Sequence, residues 1–261
     1  MNPTTTAERA TARTDFERDG YAIFRNVIDL DLIQEASDHI VWLLEKNPER
    51  TPELLTQDLI TDDPFWVRLI SDHRLVDIAE LFVGPDIALF ASHYLVKPPF
   101  TGKAVQWHQD AAFWPLEPMK VVTLWLAIDE STPDNGCVRL VPGSHRNAIK
   151  EMRATDKTGV FDSEISVDVD EDTAVNMVLQ PGDVEVHHPM MYHASTPNSS
   201  PRRRAGLTIR YIPTSTRITS DVLLSQSAFW LRGERGVNRY LPNPRYREGD
   251  HFPFRDAEAW R

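Results

Sequence analysis

From residue 86 onward the chain is cut into short segments by turn residues, and this punctuation limits the possible folds more than any other feature of the sequence. Pro98-Pro99, Pro133-Asp134-Asn135-Gly136, Pro142-Gly143-Ser144, Pro181-Gly182-Asp183 and Pro197-Asn198 stand where a chain reverses. Between them, runs rich in β-branched and aromatic residues predict strands near 87–97, 104–110, 121–129, 137–141, 173–179, 183–188, 191–196 and 204–212. Many short strands with such punctuation indicate a sandwich or jelly roll.

Ahead of the strands the period is helical. Leu32, Ile33, Ala36, Ile40, Leu43 and Leu44 fall on one helical face within 30–44. Shorter helices are expected at 15–20, 64–71 and 74–82, with a strand at Tyr21-Ala22-Ile23-Phe24 between the first of them and the long one. Residues 1 to about 12 carry no apolar period and read as a frayed tail. Residues 143–172 read as a charged excursion between strands, and 213–261, rich in Arg, Pro and aromatics, as a cover for the barrel mouth. The whole is read as one domain: helical support over 1–85, a β core over 86–213 and a C-terminal cover over 214–261.

Composition narrows the class of partner. The hydrophobic fraction of 41% is enough for a sizeable core, and the net charge of −11 opposes attraction to nucleic acid or an anionic membrane. A single cysteine, Cys137, cannot make an internal disulfide, and its place in an apolar run predicts a buried thiol. The N-terminal residues lack the apolar core of a signal peptide, and no apolar run is long enough to span a membrane. The expectation is a soluble cytoplasmic protein, while the global charge says nothing of a small-molecule substrate, since local charge in a pocket can oppose it.

Gln106-Trp107-His108-Gln109-Asp110 is the segment that carries chemistry. On a strand, residues i and i+2 share a face, so His108 and Asp110 would project an imidazole and a carboxylate into one space. Two histidines and one carboxylate on one side of a metal leave positions open, the arrangement of non-haem Fe(II) oxygenases. His193 is the best candidate for the second histidine; His187 and His188 lie close by, His145 more naturally braces a turn, and His251 is expected to face solvent. H-x-D alone also fits a wet strand, but Trp107, Phe113 and Trp114 make this an unusual one.

Beyond His193, a strand over 204–211 places Arg204, Gly206, Thr208 and Arg210 on one face and Ala205, Leu207, Ile209 and Tyr211 on the other. Two arginines with a glycine to make room suit the wall of a pocket for a carboxylate, which a guanidinium grips with two parallel hydrogen bonds. A polar outer face is the alternative. Arg202 and Arg203 read as solvated loop charges.

Taken in order, several segments resemble the phytanoyl-CoA dioxygenase family, which includes ectoine hydroxylase and bacterial natural-product oxygenases. They are Asp15-Phe16-Glu17-Arg18-Asp19-Gly20-Tyr21, Lys97-Pro98-Pro99, Trp107-His108-Gln109-Asp110, Thr123-Leu124-Trp125-Leu126-Ala127-Ile128-Asp129, Asn135-Gly136-Cys137, Val141-Pro142-Gly143-Ser144-His145, Pro181-Gly182-Asp183 and His193-Ala194-Ser195. Ala194 stands where the family often has glycine, and the last 50 or so residues match poorly.

The resemblance implies a mainly β chain with flanking α-helices, folded as a double-stranded β-helix (jelly roll, cupin-like). It implies Fe(II), 2-oxoglutarate as co-substrate and O2. It places the metal on His108, Asp110 and His193, and the distal co-substrate carboxylate on Arg204, eleven residues beyond His193, and on Ser195. Lys97, Trp125 and His93 match co-substrate-lining positions, while Phe113, Trp114 and Arg210 are candidates to line the substrate pocket. Related halogenases lack the carboxylate, so Asp110 implies hydroxylation, desaturation or ring closure, with succinate and CO2 released. Two other readings use the same barrel: a redox-inert metal-dependent cupin isomerase or hydrolase, and a non-catalytic binding protein. The first gives Arg204, Ser195 and Lys97 no purpose, and the intact metal triad argues against the second.

Overall fold

A computed structural model describes residues 6–261. Five helices lie among them: α1 (Thr6–Asp19), α2 (Leu30–Lys46), α3 (Pro64–Ile70), α4 (His73–Val83) and α5 (Asp221–Ser227). The early strands are β1 (Tyr21–Phe24), β2 (Ile87–Lys97), β3 (Val105–His108), β4 (Leu116–Glu117), β5 (Val122–Ala127) and β6 (Val138–Leu140). A hairpin of β7 (Met152–Ala154) and β8 (Ser163–Ile165) follows, then β9 (Val175–Asn176), β10 (Val184–His187) and β11 (His193–Ser195). The last three are β12 (Arg204–Pro213), β13 (Arg217–Ile218) and β14 (Phe229–Arg232).

The larger sheet has the order β1-β10-β5-β12-β2-β14 and the smaller one β3-β11-β6-β9. The chain therefore shuttles between sheets, β2 to β3, β5 to β6, β10 to β11 and on to β12, which is the winding of a double-stranded β-helix. The expected fold class is the observed one: mainly β, with helices against one face.

Alternation decides which face is which. Ala205, Leu207, Ile209 and Tyr211 join Tyr94, Val96, Leu124, Leu126, Val184 and Val186 in the main apolar core, beneath α2, α3 and α4. The helices are held by their ends and by a few polar ties. Asp29, Asp63 and Asp72 cap α2, α3 and α4 by accepting backbone N–H bonds. Trp66 Nε1 donates to Ser92 Oγ at 3.0 Å and Tyr211 donates to the Ile70 carbonyl at 2.7 Å, pinning α3 to the sheet. This anchorage ties α3 to the face of the larger sheet opposite the site.

Several expectations need correction. The stretch read as a frayed tail is helical from Thr6, the earlier residues lying outside those described. Its stability comes from alanine and long straight side chains, which leave no apolar period to detect. Ala12 is buried nonetheless, and Phe16 packs against Phe82 at 4.5 Å. The strand expected over 104–110 stops at His108, and Asp110 opens a short 3-10 turn, Asp110–Ala112. His251 is buried beneath the C-terminal segment, its Nδ1 accepting from Arg247 N at 2.9 Å. Arg203 is not a solvated loop charge: it forks onto Asp129 at 2.8 and 2.9 Å and reaches Ser37. Of residues 214–261, Leu223 on α5 reaches the central cavity, while Phe252 and Phe254 pack at steep angles against Phe65 of α3.

Candidate metal centre and co-substrate pocket

A cavity of about 360 Å³ lies between the two sheets, and one ligand atom each from His108, Asp110 and His193 falls within 4.8 Å of the others on its wall. Register explains the pairing of the histidines. His193 on β11 stands opposite His108 on β3, with ring centroids 3.9 Å apart. The turn after β3 then brings Asp110 Oδ1 to 3.7 Å from His108 Nε2 and 3.9 Å from His193 Nε2.

The surroundings fit a metal. His108 Nδ1 lies 2.8 Å from the Gln106 carbonyl and His193 Nδ1 lies 3.1 Å from that of Met191, so each Nδ1–H donates outward and each Nε2 turns a lone pair inward. Burial, with His108 beside it, pushes His193 well down, keeping it in the neutral form that a metal ligand needs. Burial opposes the charge on Asp110, but Arg210 and the neighbouring His108 and His187 outweigh it and hold the carboxyl well below the usual range. Asp110 Oδ2 accepts from Thr123 Oγ1 at 3.2 Å, leaving Oδ1 toward the histidines. Three buried donors in the right protonation states, with the side chains that orient them, are what a facial Fe(II) site requires.

At the other end of the same cavity lies a buried cation with no ion-pair partner among the described residues. Arg204 is fully buried. Its Nε and Nη2 donate to the Gly136 carbonyl at 3.1 and 2.6 Å, its guanidinium lies over Trp125 at 5.3 Å, and its Nη1 has no partner. Lys97 stands opposite it in the β12–β2 register, donating to Ser195 Oγ at 2.6 Å and to the Thr196 carbonyl. Burial, reinforced by Arg204, pushes the Lys97 ammonium down to about 6, and burial pushes Arg204 down to about 10. A desolvated guanidinium with an unmet donor, beside an amine that a bound anion would reprotonate, calls for a carboxylate.

Glycine shapes this end twice. A Cβ on Gly206 would come within 2.0 Å of Trp125 Cζ2, so the indole fits only because that side chain is missing. Gly136, at φ +80°, turns its carbonyl to Arg204, and a Cβ there would come within 2.4 Å of the Thr196 carbonyl.

The other expected residues divide between the two ends. Ser195 and Trp125 line the cavity beside Arg204, with Lys97 behind Ser195. His93 lines it too, but its Nδ1 lies 2.9 Å from Arg210 Nη1, toward the metal cluster. Phe113, half exposed, stands at the mouth, and Trp114 lies under the Arg210 guanidinium at 5.2 Å. His188 faces away, toward Phe16 and His145.

Sequence reasoning set His187 aside as a rival ligand and missed its partner Glu185. His187 is buried on the cavity wall with Nε2 3.7 Å from Asp110 Oδ2, and its Nδ1 lies 2.9 and 3.0 Å from the two Glu185 oxygens. The i, i+2 spacing of Glu185 and His187 on β10 was a legible signal, the same one that singled out His108 and Asp110. Thr123 and Phe161, the latter edge-on to His108 at 5.0 Å, gave no signal, since a threonine in a strand and a phenylalanine in a charged loop are ordinary.

Comparison with known proteins agrees with this geometry. Residues 16–206 match the family described as phytanoyl-CoA dioxygenase (PhyH). A probable alpha-ketoglutarate-dependent hypophosphite dioxygenase from Stutzerimonas stutzeri is 34% identical over 194 residues, covering 70% of this chain and 66%, just under two thirds, of that protein. An ectoine dioxygenase from Sphingopyxis alaskensis is 25% identical over 248 residues, covering 85% of this chain and 81% of that one. The solved structure of the non-heme monooxygenase ThoJ superposes with a TM-score of 0.77 at 25% identity, covering 89% of this chain and 88% of that one. The chain belongs to the phytanoyl-CoA dioxygenase family of iron- and 2-oxoglutarate-dependent oxygenases.

Proposed function

We propose that this chain is a dioxygenase that uses Fe(II), held by His108, Asp110 and His193, and 2-oxoglutarate to oxidise a small molecule by hydroxylation, desaturation or ring closure. The observation that carries the proposal is the pairing, in one cavity, of the three-donor cluster with the acid-free cation Arg204. A redox-inert cupin has no use for that cation. Bound Fe(II) supplies the activation of O2, with 2-oxoglutarate oxidised to succinate and CO2 alongside the substrate.

The protein's own part is binding, orientation and exclusion of water. Arg204 grips the distal carboxylate of 2-oxoglutarate through its unmet Nη1, and Ser195 Oγ, polarised by Lys97, donates a second bond. Trp125 walls the co-substrate chain on one side. Thr123 fixes Asp110 through Oδ2, and the Gln106 and Met191 carbonyls fix the imidazole tautomers. Phe113, Trp114 and Phe161 surround the reacting end with apolar surface, which strengthens every charge contact inside.

Small-molecule metabolism in bacteria, secondary metabolism in particular, is the setting we propose, supported by the two bacterial relatives. A cytoplasmic location fits the buried free thiol of Cys137, and among the described residues no helix is long and apolar enough to cross a membrane. The test is O2-dependent formation of succinate from 2-oxoglutarate by Fe(II)-loaded protein, screened against candidate substrates. Absence of any succinate under all conditions would sink the proposal.

A further inference from the structure

The cavity has a second cationic pole that the co-substrate carboxylate at Arg204 does not use. Arg210, further along β12, is buried and lines the cavity. Its close polar partners are neutral. Nη1 contacts His93 Nδ1 at 2.9 Å and Thr208 Oγ1 at 3.1 Å, the guanidinium lies on Trp114, and Nε has no partner. Burial and the adjacent Arg210 push His93 down to about 3, so its ring is neutral and accepts rather than compensates.

Among the described residues one carboxylate is paired with Arg210: Asp110, at 3.8 Å, longer than a hydrogen bond. A metal on Asp110 Oδ1 draws that charge away. The two charges of Fe(II) would cancel those of 2-oxoglutarate; Arg204 and the reprotonated Lys97 lie at the co-substrate end, and at the opposite end Arg210 faces Asp110 alone. Glu185 is engaged with His187 through both oxygens and does not line the cavity. The loaded site is left with a buried cation in want of an anion.

We propose that Arg210, with His93, Thr208 and Trp114, forms the prime-substrate subsite and selects a compact organic monocarboxylate whose apolar body lies against Phe90, Phe113 and Leu223. The inference rests on the oxygenase reading of this cavity. One guanidinium with neutral helpers balances one negative charge, so a phosphate dianion would keep an uncompensated charge in the interior. A cavity of about 360 Å³ that must also hold the co-substrate leaves room for a body about the size of one ring. The wall there, Phe90, Ala91, Phe113, Trp114 and Leu223, is apolar.

The test uses matched probes, phenylacetate and phenylacetamide, which differ in charge and little in shape. Each is titrated calorimetrically into the full chain loaded with redox-inert Zn(II) and saturating 2-oxoglutarate, so turnover plays no part. Wild-type protein is expected to bind the acid at least about tenfold more tightly than the amide, the worth of one charge-assisted hydrogen bond. Arg210→Gln should erase that preference while 2-oxoglutarate affinity stays within about threefold, and Arg210→Lys should keep part of it. Equal binding of acid and amide, or binding of neither at millimolar concentration, would overturn the proposal without reference to any variant. So would a preference that survives Arg210→Gln. A tenfold or greater loss of 2-oxoglutarate affinity in Arg210→Gln, with the fold intact by circular dichroism, would instead put Arg210 on the co-substrate and overturn it equally. Failure of wild-type protein to bind 2-oxoglutarate at all would defeat the oxygenase reading, and the acid and amide titrations repeated without it would still decide the role of Arg210.

Discussion

Two arginines on one face of β12 differ by what surrounds them, and that difference is testable residue by residue. Arg204 has two bonds to a carbonyl and one unmet donor beside Lys97, whereas Arg210 touches His93 and approaches Asp110. Removing one partner of a buried charge pair costs about 2–5 kcal/mol, so Arg204→Ala should weaken 2-oxoglutarate binding by about 30-fold to several thousandfold with metal binding near normal. Arg204→Lys should recover part of the loss, and calorimetric titration of both variants checks it. Lys97 adds a pH dependence. Its ammonium is pushed from 10.5 to about 6, so in the ligand-free protein its burial penalty is full below about 6, fades as pH rises and is gone above 10.5. A bound dicarboxylate returns the proton to Lys97. Near pH 7.5, 2-oxoglutarate binding should therefore take up a proton, seen as a binding enthalpy that varies with buffer ionisation enthalpy in wild type and less in Lys97→Met. A buffer-independent enthalpy in wild type would contradict this. Alternation along the strand made both arginines legible in the sequence, but it could not separate them, because their neighbours come from β2, β5 and the 133–136 turn, distant in the chain.

At the scale of elements, the site depends on where strands break rule as much as on where they keep it. Asp110 reaches the histidines from a 3-10 turn and not from the strand itself, and the hydrogen bond from Thr123 on β5 compensates for the lost strand geometry. The β12–β2 register jumps between Arg210 and Tyr211, passing from Ala91 to Leu89, so that Phe90 is the extra residue and lies on the cavity wall edge-on to Trp114. No sequence pattern announces that bulge. Gly206 is the opposite case, readable as a position that makes room. Its Cβ would strike Trp125, so Gly206→Ala should overpack β12 against β5 at a cost of about 1–3 kcal/mol, lowering Tm by roughly 3–10 °C. It should also weaken 2-oxoglutarate more than metal binding, since Trp125 walls the Arg204 end. Thermal melts and titration of the purified variant measure both, and an unchanged Tm would mean the indole has space to move. Helix α1 escaped detection because its propensity is in alanine and straight polar chains, which periodicity does not register.

For the molecule as a whole, turn residues and alternation were enough to anticipate a two-sheet barrel, since Pro181-Gly182 and Pro197-Asn198 each mark a place where the chain passes from the smaller sheet to the larger. The path of the last residues was not readable. Phe252 and Phe254 pack on α3 through aromatic contacts with Phe65, and aromatics spaced among Pro and Arg carry no period that names their partner. What unites the chain is one cavity with the His108, Asp110 and His193 cluster and Arg210 toward one end and Arg204 toward the other. The most direct test is to measure Fe(II) stoichiometry and O2-dependent succinate formation in wild type, His108→Ala, Asp110→Ala, His193→Ala and His187→Ala together. The account predicts one Fe(II) per chain in wild type, loss of both metal and turnover in the first three variants, and retention of the metal in His187→Ala. Retained iron and activity in His193→Ala, with both lost in His187→Ala, would contradict it.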